Sequence, residues 1–150
     1  MRVRRQVAGW VLLLCSLACA KTGTMADLKA QADEAHGADQ ARLCLEYAHG
    51  ELEYANALFT SGDVDQAQSA VSTAMEYARK GTKAATSSGK RLKQTEIDLR
   101  KLEKRMADVA ASLNLDDRPP LLKSVEELDQ LRADLITAMF GKSAEPKGKS

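Results

Sequence analysis

The sequence predicts an all-α protein, an antiparallel helical bundle. Apolar residues recur at steps of three and four through most of the chain after residue 24, the period of a helix face. Nine Gly and three Pro in 150 residues are too few for a turn-rich sandwich of strands. Alanine makes up 24 of the residues and charged side chains 29%, a composition suited to closely packed helices with solvated outer faces. No alternating strand pattern competes.

The chain opens on three physical zones. Arg2, Arg4 and Arg5 form a cationic start, and Val7 to Ala18 follow as an apolar run too short for a comfortable permanent span. Small residues come next, with Ala18 and Ala20 at the spacing a signal peptidase reads. Residues 1–20 are therefore predicted to be an export signal, lipoprotein-type or ordinary. Cys19, preceded by Leu17-Ala18 and followed by Ala20-Lys21-Thr22, resembles the lipid-attachment site of a bacterial lipoprotein, with Ser16 where that pattern prefers Leu. The resemblance implies an outer-membrane anchor in the periplasm, because no Asp follows Cys19; cleavage after Ala20 is the alternative. Cys15 belongs to the same segment, so Cys44 is the one thiol of the folded part and has no internal disulfide partner. Between Leu43 and Leu45 it reads as a small buried hydrophobe, with a reactive or intermolecular thiol as the alternative.

The folded part is predicted over residues 21–141. Leu28, Ala32 and Ala35 mark a short first helix, which Gly37 divides from the next. Ala41, Leu45, Ala48, Leu52, Ala55 and Phe59 then run in steps of 4, 3, 4, 3 and 4. Ser61-Gly62-Asp63 interrupts, and Asp63 with Gln66 is positioned to form a capping box for a helix that carries Val64, Ala67, Val71, Ala74 and Ala78 and ends near Gly81. Residues 82–89 are small and polar, either a weak helical turn or a loop. Leu92, Thr95, Leu99, Leu102, Met106, Val109 and Leu113 form a heptad-like stripe that favours a coiled-coil seam against a partner helix, internal or from another subunit. Pro119-Pro120 stops that run, and a last helix is predicted from a Ser124–Glu127 capping box to Gly141, presenting Val125, Leu128, Leu131, Leu135 and Met139. The tail 142–150 reads as disordered.

Charge is divided along the chain. Residues 21–78 carry a net −7, residues 79–105 a net +7 and residues 106–150 a net −2. Pairing of opposite faces within the fold or a dimer explains this most simply. The alternative is that the stretch Arg79–Arg105 meets anionic lipid, an acidic glycan or an acidic protein. It lacks the interleaved aromatics of a nucleic-acid surface, and no nucleic-acid partner is predicted.

The segment EYANALFTSGDVDQAQSAVSTAMEYARK resembles a single tetratricopeptide helical hairpin. Ala55 stands at the small position of the first helix, Leu58-Phe59 at the bulky pair, Gly62-Asp63 at the turn, and Ala67 and Ala74 at the two Ala of the second helix. Tyr54 and the absence of a closing Pro near Arg79 depart from the pattern, and no second repeat is readable. With its lipoprotein-like start, the chain also looks like small bacterial envelope lipoproteins. The resemblance implies protein–protein docking and no chemistry. Arrays of this family need about three repeats to stand alone, so the remaining helices or another chain must complete the hairpin.

Two pairs echo the carboxylate-to-His spacing of di-iron bundles: Asp33 with His36, and Glu46 with His49. On one continuous helix their 13-residue offset turns them about 220° apart, so they do not converge. Neither a metal, a cofactor nor a catalytic set is predicted. Tyr47 and Tyr54, seven apart, share a face beside Cys44 and Leu58, with Tyr77 opposite. They read as core with hydroxyls at the rim, or as docking anchors. The predicted function is a non-enzymatic envelope scaffold or adaptor with Tyr47, Tyr54, Leu99, Leu102 and Met106 as partner-binding residues. The alternative is a spacer lipoprotein that self-associates into a homo-oligomer along Leu92–Leu113.

Overall fold

The structure is a computed structural model that describes residues 23–141. The predicted export segment, Cys19 and the tail 142–150 lie outside the described residues. Among those described there are five helices and no strand: α1 (Met25–Glu34), α2 (Gly37–Ser61), α3 (Val64–Ser88), α4 (Leu92–Ser112) and α5 (Arg118–Gly141).

Each boundary has a local cause. Thr24 and Asp27 cap α1 reciprocally, the Asp27 N–H donating to the Thr24 hydroxyl at 3.2 Å and the Thr24 N–H to the Asp27 carboxylate at 3.0 Å. A break at Ala35–His36 separates α1 from α2, and Gly37 takes a positive φ of 59° there. At the α2–α3 turn Gly62 is left-handed, with its N–H on the Phe59 carbonyl and the Asp63 N–H on the Leu58 carbonyl, a Schellman arrangement. That pairing alters the predicted capping box. The Asp63 carboxylate does accept from the Gln66 N–H, but the Asp63 N–H is already engaged, so the Gln66 amide turns to the carboxylate instead.

Two predicted boundaries are corrected. α3 does not end at Gly81 but continues to Ser88, so residues 82–89 are mostly helix. Gly81 is there for proximity: a Cβ would stand 3.1 Å from the Ala41 carbonyl oxygen and 3.2 Å from the Cys44 Cβ. α5 begins at Arg118, not Ser124, with both prolines in its first turn, where a missing N–H breaks no helical bond. Ser124 caps nothing; its hydroxyl donates back to the Pro120 carbonyl at 3.1 Å. Arg118 closes the preceding helix by donating to the carbonyls of Leu113 and Ala111.

The packing is two antiparallel hairpins, α2–α3 and α4–α5, laid against each other, with α1 added to the outside of the first. His49 meets Asp98 and Glu53 meets Arg105, so α2 and α4 run parallel. In the α2–α3 hairpin Ala41, Ala48, Ala55, Ala67, Ala74 and Ala78 are all fully buried, which lets the two backbones approach closely. In the other hairpin the seam is built from larger side chains. Leu99, Leu102 and Met106 of α4 and Leu121, Leu128 and Leu135 of α5 are all 0% exposed. Every core residue lies between Ala32 and Leu135.

Part of the divided charge is absorbed by pairs across helices. Arg105 makes a two-pronged pair with Glu53, Arg79 with Glu127, and Lys80 reaches Asp33 at 2.6 Å. Arg132 of α5 bridges Glu96 and Glu103 of α4 at 2.9 and 2.6 Å.

Candidate functional site

Among the predicted partner-binding residues the structure draws a sharp division. Leu99, Leu102 and Met106 have no exposed surface, on a helix that packs chiefly against α5 of the same chain. Their partner helix is internal, so they are not presented to another molecule. Tyr47 is likewise buried, at 5% exposure, whereas Tyr54 is 52% exposed. One tyrosine is core and the other surface because α1 ends between them.

α1 lies antiparallel to α2. Ala32 sits beside Cys44, whose thiol reaches the Ala32 carbonyl at 3.8 Å, and Met25 lies over Gly50, where a Cβ would run into its side chain. The face of α2 that receives α1 carries Leu43, Tyr47 and Gly50, in steps of 4 and 3. The same stripe continues in the same rhythm through Tyr54, Ala57 and Ser61, but α1 begins at Met25 and covers none of these. Tyr54, Ala57 and Ser61 are exposed, with Leu58 half-buried beside them. Among the described residues, no helix covers the lower half of this helix-binding face, next to an occupied upper half.

The occupied half shows how this face holds a helix. Tyr47 and Tyr77 meet edge to face across the α2–α3 hairpin, with centroids 4.5 Å apart, so Tyr77 stands opposite Tyr47 and in contact with it. The Tyr77 hydroxyl donates to the Asp33 carboxylate of α1 at 2.8 Å, and Lys80 and Lys29 donate to the same carboxylate at 2.6 and 3.1 Å. Lys80 and Lys29 also stand over the Tyr77 ring, at 5.3 and 5.8 Å. Lys80 above all, then Tyr77, hold the Asp33 carboxyl well below the usual carboxylate range. Burial pushes the Tyr77 and Tyr47 phenols upward, and the Cys44 thiol up to about 11, so Cys44 stays protonated as a small core residue.

The two carboxylate–His pairs do not meet. Asp33 is committed to Tyr77 and the two lysines, and His36 stands at the start of α2 with Nδ1 on the Ala35 carbonyl at 2.8 Å. Glu46 pairs with Arg42, while His49 Nε2 donates to the Asp98 carbonyl of α4 at 3.2 Å. A cleft between α1 and α2 is open to solvent and lined by Gln31, Glu34, Arg42, Leu43 and Glu46.

The Asp33–Tyr77–Lys80 latch and the Arg132 bridge were not foreseen. Both join residues more than 25 positions apart, so helical spacing carries no sign of them. The Thr24–Asp27 cap was readable, since a Thr followed three residues on by a carboxylate is an N-terminal signature. Comparison of the chain with family models, with curated proteins and with solved structures finds no match in any of the three.

Proposed function

We propose that this chain is a non-enzymatic scaffold or adaptor of the bacterial envelope, held at the outer membrane by lipid on Cys19, which docks a helix of another envelope protein on the face of α2 below Gly50. The observation that carries the reading is Tyr54. It lies in register with Tyr47 on a stripe already used to bind one helix, yet half of its surface is free. A large amphipathic ring at such a place is a common anchor of protein interfaces. α1 provides the template for the guest: a short helix presenting Met25, Leu28 and Ala32 along one edge, in steps of 3 and 4. The tetratricopeptide-like pattern around Gly62 supports the same use, although α2 and α3 are 25 residues each and exceed the roughly 34-residue helix–turn–helix unit of that family. The export reading rests on Arg2, Arg4, Arg5, the apolar run and Cys19.

The test is a photo-crosslinking side chain at position 54 in living cells, with one at exposed Lys123 as the control. One discrete adduct with an envelope protein, formed from position 54, absent from position 123 and lost in Ala57→Glu, is the expected result. Identical patterns from both positions would remove the docking face. Detergent partitioning of Cys19→Ser tests the anchor separately: the variant should leave the membrane fraction.

A further inference from the structure

The end of the bundle opposite the Gly62 turn combines unbalanced positive charge with exposed apolar side chains. Between Glu76 and Glu96 the chain carries six basic residues and no acid. Arg79 and Lys80 are used in pairs, but Lys83, Lys90, Arg91 and Lys93 are exposed and make no ion pair among the described residues. Three of these four crowd the α3–α4 turn and the start of α4, where positive charge opposes the helix dipole. α4 opens with no acid in its first turn and no side-chain cap, and Arg91 takes a left-handed φ of 58°. Helix stability alone would favour the opposite charge and a glycine there, so the fold does not explain these residues.

The last turns of α5 reach the same end. Arg132 lies between Glu96 and Glu103 of antiparallel α4, so Phe140, eight residues on and about 12 Å further along, stands level with Leu92 and Lys93. Phe140 is 69% exposed and Ile136, one turn before it on the same face, 37%. Of the acids near this end, Glu34 and Asp39 stand on the α1–α2 corner, and Asp134, two residues before Ile136, points about 200° away from it around α5.

We propose that this end, built from Lys83, Lys90, Arg91, Lys93, Ile136 and Phe140, docks the protein on an anionic lipid surface. Exposed lysines and an arginine attract phosphate headgroups at long range, while an aromatic and an aliphatic side chain beside them enter the boundary with the acyl chains. An acidic protein would answer to the charge, but would leave a side chain as exposed as Phe140 without a role. The surface is separate from Tyr54, which lies 17 residues down α2 from Gly37, about 26 Å away, so the two sites can fail independently.

The test uses the full chain in a Trp10→Phe background, with an indole reporter introduced by Phe140→Trp or, as the control, by Tyr54→Trp. Vesicles of phosphatidylglycerol with phosphatidylethanolamine are compared with vesicles of phosphatidylcholine. On anionic vesicles the emission from position 140 should move to shorter wavelength, with no change at position 54. Combined Lys90→Gln, Arg91→Gln and Lys93→Gln should abolish that shift by weakening the local contact on the order of 100-fold, at about tenfold or less per charge. The local reporter keeps the result independent of insertion by the N-terminal segment. An equal shift on neutral vesicles, a shift that survives loss of the three charges, or no shift would overturn the proposal. A response to soluble polyglutamate with none to vesicles would also overturn it, and would assign this end to an acidic protein.

Discussion

Asp33 gathers three donors from two helices onto one carboxylate, and the sign of its effect on stability follows from that. Its folded-state proton affinity is lowered, chiefly by Lys80. The stabilisation is therefore present above the usual carboxylate range near pH 4 and is lost as pH falls through and below it. Asp33→Asn should cost roughly 1 kcal/mol at neutral pH, limited by solvent screening of a side chain that is 37% exposed. Denaturant titrations from pH 7 down to about pH 2 should show the gap between the two proteins closing in acid. A gap that stays constant would mean the carboxylate charge contributes nothing. Arg132 is a harder case, because its side chain is 19% exposed and those of Glu96 and Glu103 are 13% and 22% exposed. Arg132→Ala leaves two partly buried carboxylates facing one another and should destabilise by about 2–3 kcal/mol, which the urea midpoint would report.

At the scale of elements, Gly81 shows where reading along the chain succeeds and where it stops. Helical periodicity located all five helices, because each buries a face at steps of three and four and no strand pattern competes. Their ends were less legible. A glycine is read locally as a terminator, yet Gly81 is mid-helix because Ala41 of another helix crosses it 40 residues away in sequence. The double proline reads locally as a stop that leaves the last helix to start at Ser124, yet it lies inside the first turn of α5. The same limit applies to the candidate site. Spacing put Tyr47 and Tyr54 on one face, but only the position at which α1 begins determines which of them is covered. Gly81→Val should destabilise by about 1–3 kcal/mol, since its Cβ would press on the Ala41 carbonyl and on the Cys44 and Leu45 side chains. Thermal melts that show no loss would mean α2 and α3 are not so close at this point.

Over the described residues as a whole, the arrangement is one of hydrophobic faces closed within a single chain, with two candidate docking surfaces on its outside. The heptad stripe of α4 finds its partner in α5, and the alanine faces of α2 and α3 find each other. Among the described residues, the large apolar side chains left exposed include Tyr54 on α2 toward one end, Ile136 and Phe140 at the basic corner of the other, and Leu115 and Leu122 around the start of α5. Leu102, with no exposed surface, separates this arrangement from a self-associating spacer. Sedimentation equilibrium, with circular dichroism, on the chain beginning at Gly23 and its Leu102→Asp variant is the most direct measurement. The parent should sediment as a monomer, and the variant should lose its helical signal because a charge has been forced into the core. A parent oligomer that Leu102→Asp converts into folded monomers would contradict the closed bundle.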